Sequence, residues 1–310
     1  LETYFGHKNF SSDEPVVTLG MFDGVHRGHR VLLDSLIRKA KTLGADSVVL
    51  TLDPHPRIVL SGGDSSLRFL TSLDEKSQLM EETGIDKLLV LPFTNELSRM
   101  GSCDFVKKYL VDIIGVRHLI LGFDHHFGYR GYGDAVAITE CAGRYGFGVD
   151  RMEALKEGNE VISSTTIRKL LKEGSLAAAN KLLGYSYILK GKVVEGKKIG
   201  RLLGFPTANI APDYSFKLIP ADGVYAVEVI LDSVRYNAML YIGPRPTIER
   251  DKGRRTIEVN IFDFDREIYG KDITVIFRHR LRGDKKFSSR EKLLDQIEKD
   301  KAGSIRLLAK

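Results

Sequence analysis

Apolar residues recur at helical spacing in some stretches of the chain and in short unbroken or alternating runs in others. In the first half the two kinds take turns. Val16–Leu19 is a short apolar run closed by Gly20. Leu32, Leu33, Leu36, Ala40 and Leu43 then follow a helical period, with Gly44 as its stop. Ser47–Leu52 reads as a buried strand that breaks at Asp53-Pro54-His55-Pro56. The alternation continues with a helix over Leu73–Thr83 and a strand over Lys87–Leu91. A helix capped by Ser102 and ending at Ile114 before Gly115 comes next, then a strand over His118–Gly122. A helix over Ala135–Tyr145 and a strand over Gly148–Met152 complete the half. Strands separated by helices of this length predict an α/β unit, a parallel sheet with helices on both faces.

The pattern changes after two short helical stretches, Thr166–Glu173 and Leu176–Leu183. From Tyr185 onward the runs are β-like: Tyr187–Val194, Gly223–Leu231, Arg235–Ile242, Thr256–Phe262 and Ile273–Phe277, with turn signals between them. This density of short strands predicts a small antiparallel barrel. A last helix, Ser289–Asp300, carries Leu293, Leu294 and Ile297 on one face. Gly184 is therefore the expected boundary, dividing the chain into residues 1–184 and 185–310. A length of 310 residues suits two domains.

Composition narrows the class. Hydrophobic residues make up 43% and charged residues 28%, ordinary globular usage that excludes disorder and small disulfide scaffolds. No apolar run approaches a membrane helix, and Leu1 to Asp13 carries no secretory pattern. The two cysteines, Cys103 and Cys141, form no CxxC, which argues against zinc ribbons and thioredoxin-type chemistry and suggests a cytosolic, reducing home. Net charge is uneven. Residues 1–184 carry 22 Lys+Arg against 24 Asp+Glu, and residues 185–310 carry 25 against 17. A basic second half suits a phosphorylated or polyanionic partner, or is simply a solvated basic face.

Chemistry gathers where the first strand gives way to the first helix, at Gly20-Met21-Phe22-Asp23-Gly24-Val25-His26-Arg27-Gly28-His29. Ligands of open α/β sheets bind beyond the carboxyl ends of strands. A helix N-terminus there offers free N–H groups to phosphate, and His26 and His29 add donors or positive charge. A metal site is the alternative, but no Cys or carboxylate is spaced to complete one. Ser163-Ser164-Thr165-Thr166-Ile167-Arg168 opens a later helix. It is either a second anion site with Arg168 on a phosphate or a plain cap with a solvated arginine.

The His26-to-His29 HxGH resembles the signature of the nucleotidylyltransferase superfamily. Thr51 to Pro56, Gly122-Phe123-Asp124-His125-His126-Phe127-Gly128 and Ser163 to Arg168 narrow the likeness to the adenylyltransferase module of prokaryotic bifunctional riboflavin kinase/FAD synthetases. That family usually has an Asp-Phe-Arg-Phe-Gly-like string where this chain has His125 and His126. The resemblance implies a Rossmann-like nucleotidylyltransferase domain. It places ATP on Gly20, Phe22, Asp23, Gly24, His26, His29, Ser163, Ser164, Thr165 and Arg168, with His26, His29 and Arg168 stabilising charge. It places flavin on Pro54, His55, Pro56 and Asp124.

In the second half, Gly191 to Lys198 nearly spells a P-loop, but Lys198 stands where Ser or Thr must bind magnesium and no helix follows, so that reading is rejected. Gly204-Phe205-Pro206-Thr207-Ala208-Asn209 is locally a turn into a strand. It is also similar to the hallmark of riboflavin kinases, as are Pro220 to Tyr225, Ile242 to Thr247 and Thr256 to Phe262. This second resemblance implies a riboflavin kinase β-barrel with a C-terminal helix. It puts ATP on Gly191, Lys198, Gly204, Phe205, Pro206, Thr207 and Asn209, and Mg²⁺ on Thr207 and Asn209. Glu258 becomes the base for the ribityl hydroxyl, whereas alternation alone, which allows either exposure or a site, favours exposure on the polar face.

The combined expectation is a cytoplasmic transferase that phosphorylates riboflavin to FMN and adenylylates FMN to FAD. Its partners are small molecules, ATP, riboflavin and FMN. No nucleic-acid motif and no membrane segment is read. One working activity on the same folds, or a flavin-binding regulator, stays open.

Overall fold

The computed structural model describes residues 1–123, 135–158, 160–196, 204–244 and 255–309. They form two compact units, Leu1–Ser164 and Thr165–Lys310.

The first unit runs β1 (Glu2–Phe5), β2 (Val16–Leu19), α1 (Arg27–Leu43), β3 (Ser47–Asp53), α2 (Pro56–Leu60), α3 (Leu73–Glu81), β4 (Lys87–Pro92), α4 (Asn95–Ser98) and α5 (Ser102–Phe105). It continues through β5 (His118–Leu121), α6 (Ala135–Tyr145), β6 (Gly148–Arg151) and the short pair β7 (Lys156–Glu157) and β8 (Glu160–Val161). Strands β1 to β6 make one parallel sheet in the order β1-β4-β3-β2-β5-β6. On one sheet face Val17, Leu19, Val48, Leu50, Leu89 and Leu91 bury against Phe105, Leu110, Ile138 and Cys141. Because strand side chains alternate, the neighbouring positions serve the other face. There α1 buries Leu32, Leu33, Leu36 and Ala40, the residues whose spacing predicts it.

Several local features of the first unit differ from the sequence expectation, beyond the short α4 and the β7–β8 pair that it lacked. β1 is an added edge strand. Its polar residues and the exposed Phe5 give no apolar run to read. The helix expected from a Ser102 cap starts one residue earlier in effect, with Gly101 in the cap position. From Val106 to Ile114 it winds in wider π-helical turns before Gly115. Cys103 and Cys141 are joined by a disulfide, Cα–Cα 5.8 Å, that ties α5 to α6. A reducing home did not anticipate that bond, because 38 residues separate the partners in sequence and no motif links them.

The second unit holds α7 (Ser164–Glu173, its first residue closing the other unit), α8 (Leu176–Leu183), β9 (Ile188–Val194), β10 (Ala208–Pro212), β11 (Gly223–Leu231), β12 (Val234–Pro244), β13 (Arg255–Ile261), β14 (Asp272–Arg282) and α9 (Arg290–Leu308). The six strands close into an antiparallel barrel in the order β10-β13-β12-β11-β14-β9. Buried Tyr187, Tyr225 and Phe277 fill it. The Tyr187 hydroxyl donates to the Leu218 carbonyl (2.7 Å), and Tyr225 meets Phe277 edge to face. Helices α7 and α8, placed before the Gly184 boundary by the sequence pattern, group with this barrel. The Ala221 N–H donates to the Leu171 carbonyl (2.9 Å). Asn180 donates to the Phe277 carbonyl and accepts from the Tyr187 N–H, both at 2.9 Å. Among the described residues no helix is long and apolar enough to cross a membrane.

Candidate active sites

In the first unit β3 and β4 lie to one side of β2 and β5 to the other, so the strand order reverses between β2 and β5. Loops leaving the carboxyl ends of strands at such a reversal form a ligand crevice, and the β2–α1 loop is one of them. Its backbone is strained. Phe22 (φ 48°) and Val25 (φ 35°) adopt left-handed angles that ordinary residues avoid, and Gly24 (φ 86°) adopts them freely. Buried packing of Phe22 and Val25 holds the conformation. The buried Asp23 carboxylate accepts from the backbone N–H groups of Leu70 (2.7 Å) and Thr71 (3.1 Å), and Gly24 N–H donates to Thr71 Oγ1 (3.0 Å). Asp23 thus braces the loop against the segment before α3. Ser164 Oγ donates to the Asp23 carbonyl (2.8 Å), which brings the Ser163-Ser164 end of the unit to the same loop.

The two histidines sit together at the start of α1. His26 is its N-cap, with Nδ1 accepting from the His29 N–H at 3.3 Å, so a neutral His26 carries its proton on Nε2. The rings stack at 3.6 Å, and Phe22 meets His29 edge-on at 5.2 Å. Burial, then His26, then the charge of Lys76 push the His29 pKa well below its ordinary 6.5. His29 is therefore neutral at pH 7 and serves as a hydrogen-bonding group rather than as the fixed cation that sequence reading allowed. Its Nδ1 is buried with no hydrogen-bond partner among the described residues.

At the end of β3, Pro54 follows a cis peptide bond. His55 caps α2 by accepting from the Arg57 N–H (3.1 Å) and stacks on Phe69 at 4.2 Å. The expected rigid turn is thus also a helix start with an aromatic wall. Phe69 and Lys76, both absent from the sequence-based set, border this region. Neither lies in a motif, and only the fold brings them to the strand ends. Thr165 and Arg168 belong to the second unit, where the Arg168 guanidinium donates to Thr165 Oγ1 (3.0 Å). Asp124, His125 and His126 lie outside the described residues.

In the barrel the Gly204–Asn209 stretch leads into β10, and the register sets Asn209 opposite Glu258 on β13. Thr207 Oγ1 donates to Glu258 Oε2 (3.3 Å). Thr256 Oγ1 lies 3.1 Å from Asn209 Oδ1 and 3.3 Å from Glu258 Oε1. Asn260 Nδ2 donates to the Pro206 carbonyl (2.7 Å) and pins the turn. Glu258 is half-buried in this cluster, not turned out to solvent as alternation alone favoured. Oxygen donors from Thr207 and Asn209 beside a carboxylate suit a hard cation such as Mg²⁺. A cavity of about 220 Å³ adjoins Pro206 and Thr207, lined also by Val259, Ile261, Phe264, Ile268 and Tyr269 and by the charged Asp265, Arg266 and Glu267. Sequence reading missed this wall, because the residues after β13 form no motif. Gly191 sits further along β9, paired with Pro212. A side chain there would strike the Ala211 carbonyl, so its glycine is required by the sheet itself. Lys198 and Arg245-Pro246-Thr247 lie outside the described residues.

Comparison with known proteins also divides the chain in two, and leaves residues 167–182, most of α7 and α8, in neither match. A family model described as FAD synthetase matches residues 8–166, and one described as riboflavin kinase matches residues 183–308. The chain is 38% identical to the bifunctional riboflavin kinase/FMN adenylyltransferase of Listeria monocytogenes, covering 100% of this chain and 99% of the relative. It is 36% identical to the Bacillus subtilis protein of the same name, covering 94% and 92%. A solved Streptococcus pneumoniae chain described as a macrolide-efflux protein superposes with a TM-score of 0.88 at 29% identity, covering 98% of this chain and 99% of that one.

Proposed function

The chain belongs to the bifunctional riboflavin kinase/FMN adenylyltransferase family, and from that premise we propose how its residues divide the work. The enzyme makes FMN from riboflavin and ATP, and FAD from FMN and ATP. The observation that carries this is the succession of the two family matches along one chain, each falling on a unit with its own cluster of site residues.

In the second unit we assign phosphoryl transfer to the Thr207–Asn209–Glu258 cluster. Glu258 takes the proton from the ribityl hydroxyl as that oxygen attacks the γ-phosphorus of ATP, and ADP leaves. Thr207 and Asn209 would hold Mg²⁺, which when bound neutralises phosphate charge. The apolar side chains of the adjoining cavity take the adenine, with Tyr269 among them. Tyr269→Ala should accordingly raise the KM for ATP in FMN formation about tenfold with little change in kcat, the pattern of lost ground-state binding. Steady-state kinetics at varied ATP check this, and an unchanged KM would remove the adenine from that wall.

In the first unit we assign adenylyl transfer to the β2–α1 loop and α1. The FMN phosphate attacks the α-phosphorus of ATP and pyrophosphate leaves. His26 and His29 donate hydrogen bonds to phosphate oxygens, and the α1 N-terminus supports them. Pro54, His55 and Pro56 border the flavin. Neither step needs a covalent enzyme intermediate; both rest on positioning and charge stabilisation. We place the enzyme in the cytoplasm with small molecules as its partners.

The activity test is direct. Incubation with riboflavin, ATP and Mg²⁺ should yield FMN and then FAD on flavin separation. FMN alone would leave one working activity, and neither product would leave a flavin binder. The units should also separate, though not at Gly184. A fragment from Thr165 keeps the Leu171 and Asn180 bonds to the barrel and should fold and phosphorylate riboflavin. One from Tyr185 loses them and should melt at lower temperature. Equal melting of the two fragments would return the boundary to Gly184.

A further inference from the structure

Lys76, on α3, is a buried cation that none of these roles uses. It is 6% exposed. Its single hydrogen bond among the described residues is a long 3.4 Å contact with Thr51 Oγ1, although an ammonium has three donors to place. Thr51 is near the carboxyl end of β3, the end of the sheet that bears the site. The titratable groups facing Lys76 come from three other elements: Asp23 from the β2–α1 loop, Asp53 from β3 and His29 from α1. On its own helix, Glu75 is turned to the Ser72 cap.

A structural duty does not account for this charge. Leu79 and Met80 already anchor α3 by apolar burial, and the Asp23 carboxylate already has two backbone donors. Replacing a whole buried ion pair by apolar side chains is often neutral or stabilising, so packing alone does not call for an ammonium among carboxylates here. What an ammonium adds here is positive charge between two carboxylates, beside the buried and unpartnered Nδ1 of His29. Without it Asp23 and Asp53 would repel any phosphate brought to the strand ends.

We propose that Lys76 is a positioning residue for FMN adenylylation: its ammonium offsets Asp23 and Asp53 beside His29, so that this end of the sheet accepts phosphate oxygens. The proposal rests on the reading that the first unit transfers the adenylyl group. It has a distinctive consequence. Burial lowers the Lys76 pKa to about 8, against the opposing pull of Asp23 and then Asp53. Only the protonated form carries the charge, so kcat/KM for FAD formation falls as pH rises through about 8 in the free enzyme.

The test uses the full chain, with FMN formation by the same sample as an internal control and a thermal melt for folding. Lys76→Met should lower kcat/KM for FAD formation about 100-fold at pH 7, the scale of one preorganised charge. Lys76→Arg should stay within about fivefold of wild type. The alkaline fall should vanish in Lys76→Arg, because a guanidinium does not titrate there. A folded Lys76→Met that makes FAD within about threefold of wild type overturns the proposal. So does an alkaline fall that persists in Lys76→Arg, and this second criterion decides the matter even where Lys76→Met does not fold. Wild-type protein that makes FMN but no FAD would remove the adenylylation reading together with Lys76. An active Lys76→Met removes Lys76 alone.

Discussion

Glu258→Gln should slow FMN formation by about 10² to 10⁴-fold, the range for loss of a positioned general base. The substitution is nearly isosteric, and the neighbours that hold the side chain can serve an amide. Thr207 Oγ1 donates to one carboxylate oxygen at 3.3 Å, and Thr256 Oγ1 lies 3.3 Å from the other. The amide carbonyl can accept one of these bonds, so the cluster and the β10–β13 register should survive. What an amide cannot do is take the ribityl proton as the new O–P bond forms. FAD formation from supplied FMN should be untouched, since the residues we propose for adenylyl transfer, on the β2–α1 loop, α1 and the end of β3, lie in the other unit. Rates for the two half-reactions measured on one preparation decide it. A folded Glu258→Gln chain with FMN formation within about threefold of wild type would take the base assignment away. Loss of FAD synthesis from FMN in that chain would mean the two units share their chemistry.

His29→Ala should slow FAD formation from FMN and ATP by at least about 100-fold, equivalent to about 2.7 kcal/mol of transition-state stabilisation. The ring is held by stacking on His26 at 3.6 Å and by the edge of Phe22, so it is oriented before substrate arrives. Its buried Nδ1 has no protein partner among the described residues and is free to serve a ligand. Because the pKa lies well below 6.5, His29 stays neutral in the folded chain across the physiological range. The rate should therefore show no step near pH 6.5 from this residue. The same depression has a stability sign. The unfolded chain takes up the His29 proton first, so stability is full above about 6.5 and declines as pH falls below it. FMN formation serves as the control. FAD synthesis by His29→Ala at the wild-type rate would move the site away from the β2–α1 loop.

Much of this molecule is legible along the chain because the deciding interactions are local or periodic. The buried run Val16–Leu19 and the spacing of Leu32, Leu33, Leu36 and Ala40 record one strand and one helix that each bury one face. The HxGH and Gly-Phe-Pro-Thr-Ala-Asn stretches carry their family resemblance within a few residues, and both fall inside the family matches. Illegible parts are those whose reason lies elsewhere. The edge strand β1 is specified by pairing with β4, not by its own residues. The π-helical winding from Val106 and the Cys103–Cys141 bond depend on packing between α5 and α6.

The sequence by itself determined the α/β unit, the barrel and the approximate change between them, and it offered candidate site residues. Each of these is written in spacing or in a short motif. Tertiary structure alone decided the protonation of His29, since burial beside His26 and Lys76 sets it. It decided that Glu258 faces the Thr207–Asn209 cluster, since strand register and not alternation chooses its neighbours. It moved α7 and α8 to the barrel through the bonds of Leu171 and Asn180. It also brought Lys76 from mid-helix to the strand ends, among two carboxylates that lie 53 and 23 residues before it in the chain. Charge, solvation and register are properties of what surrounds a side chain in space, and a linear pattern records only what precedes and follows it.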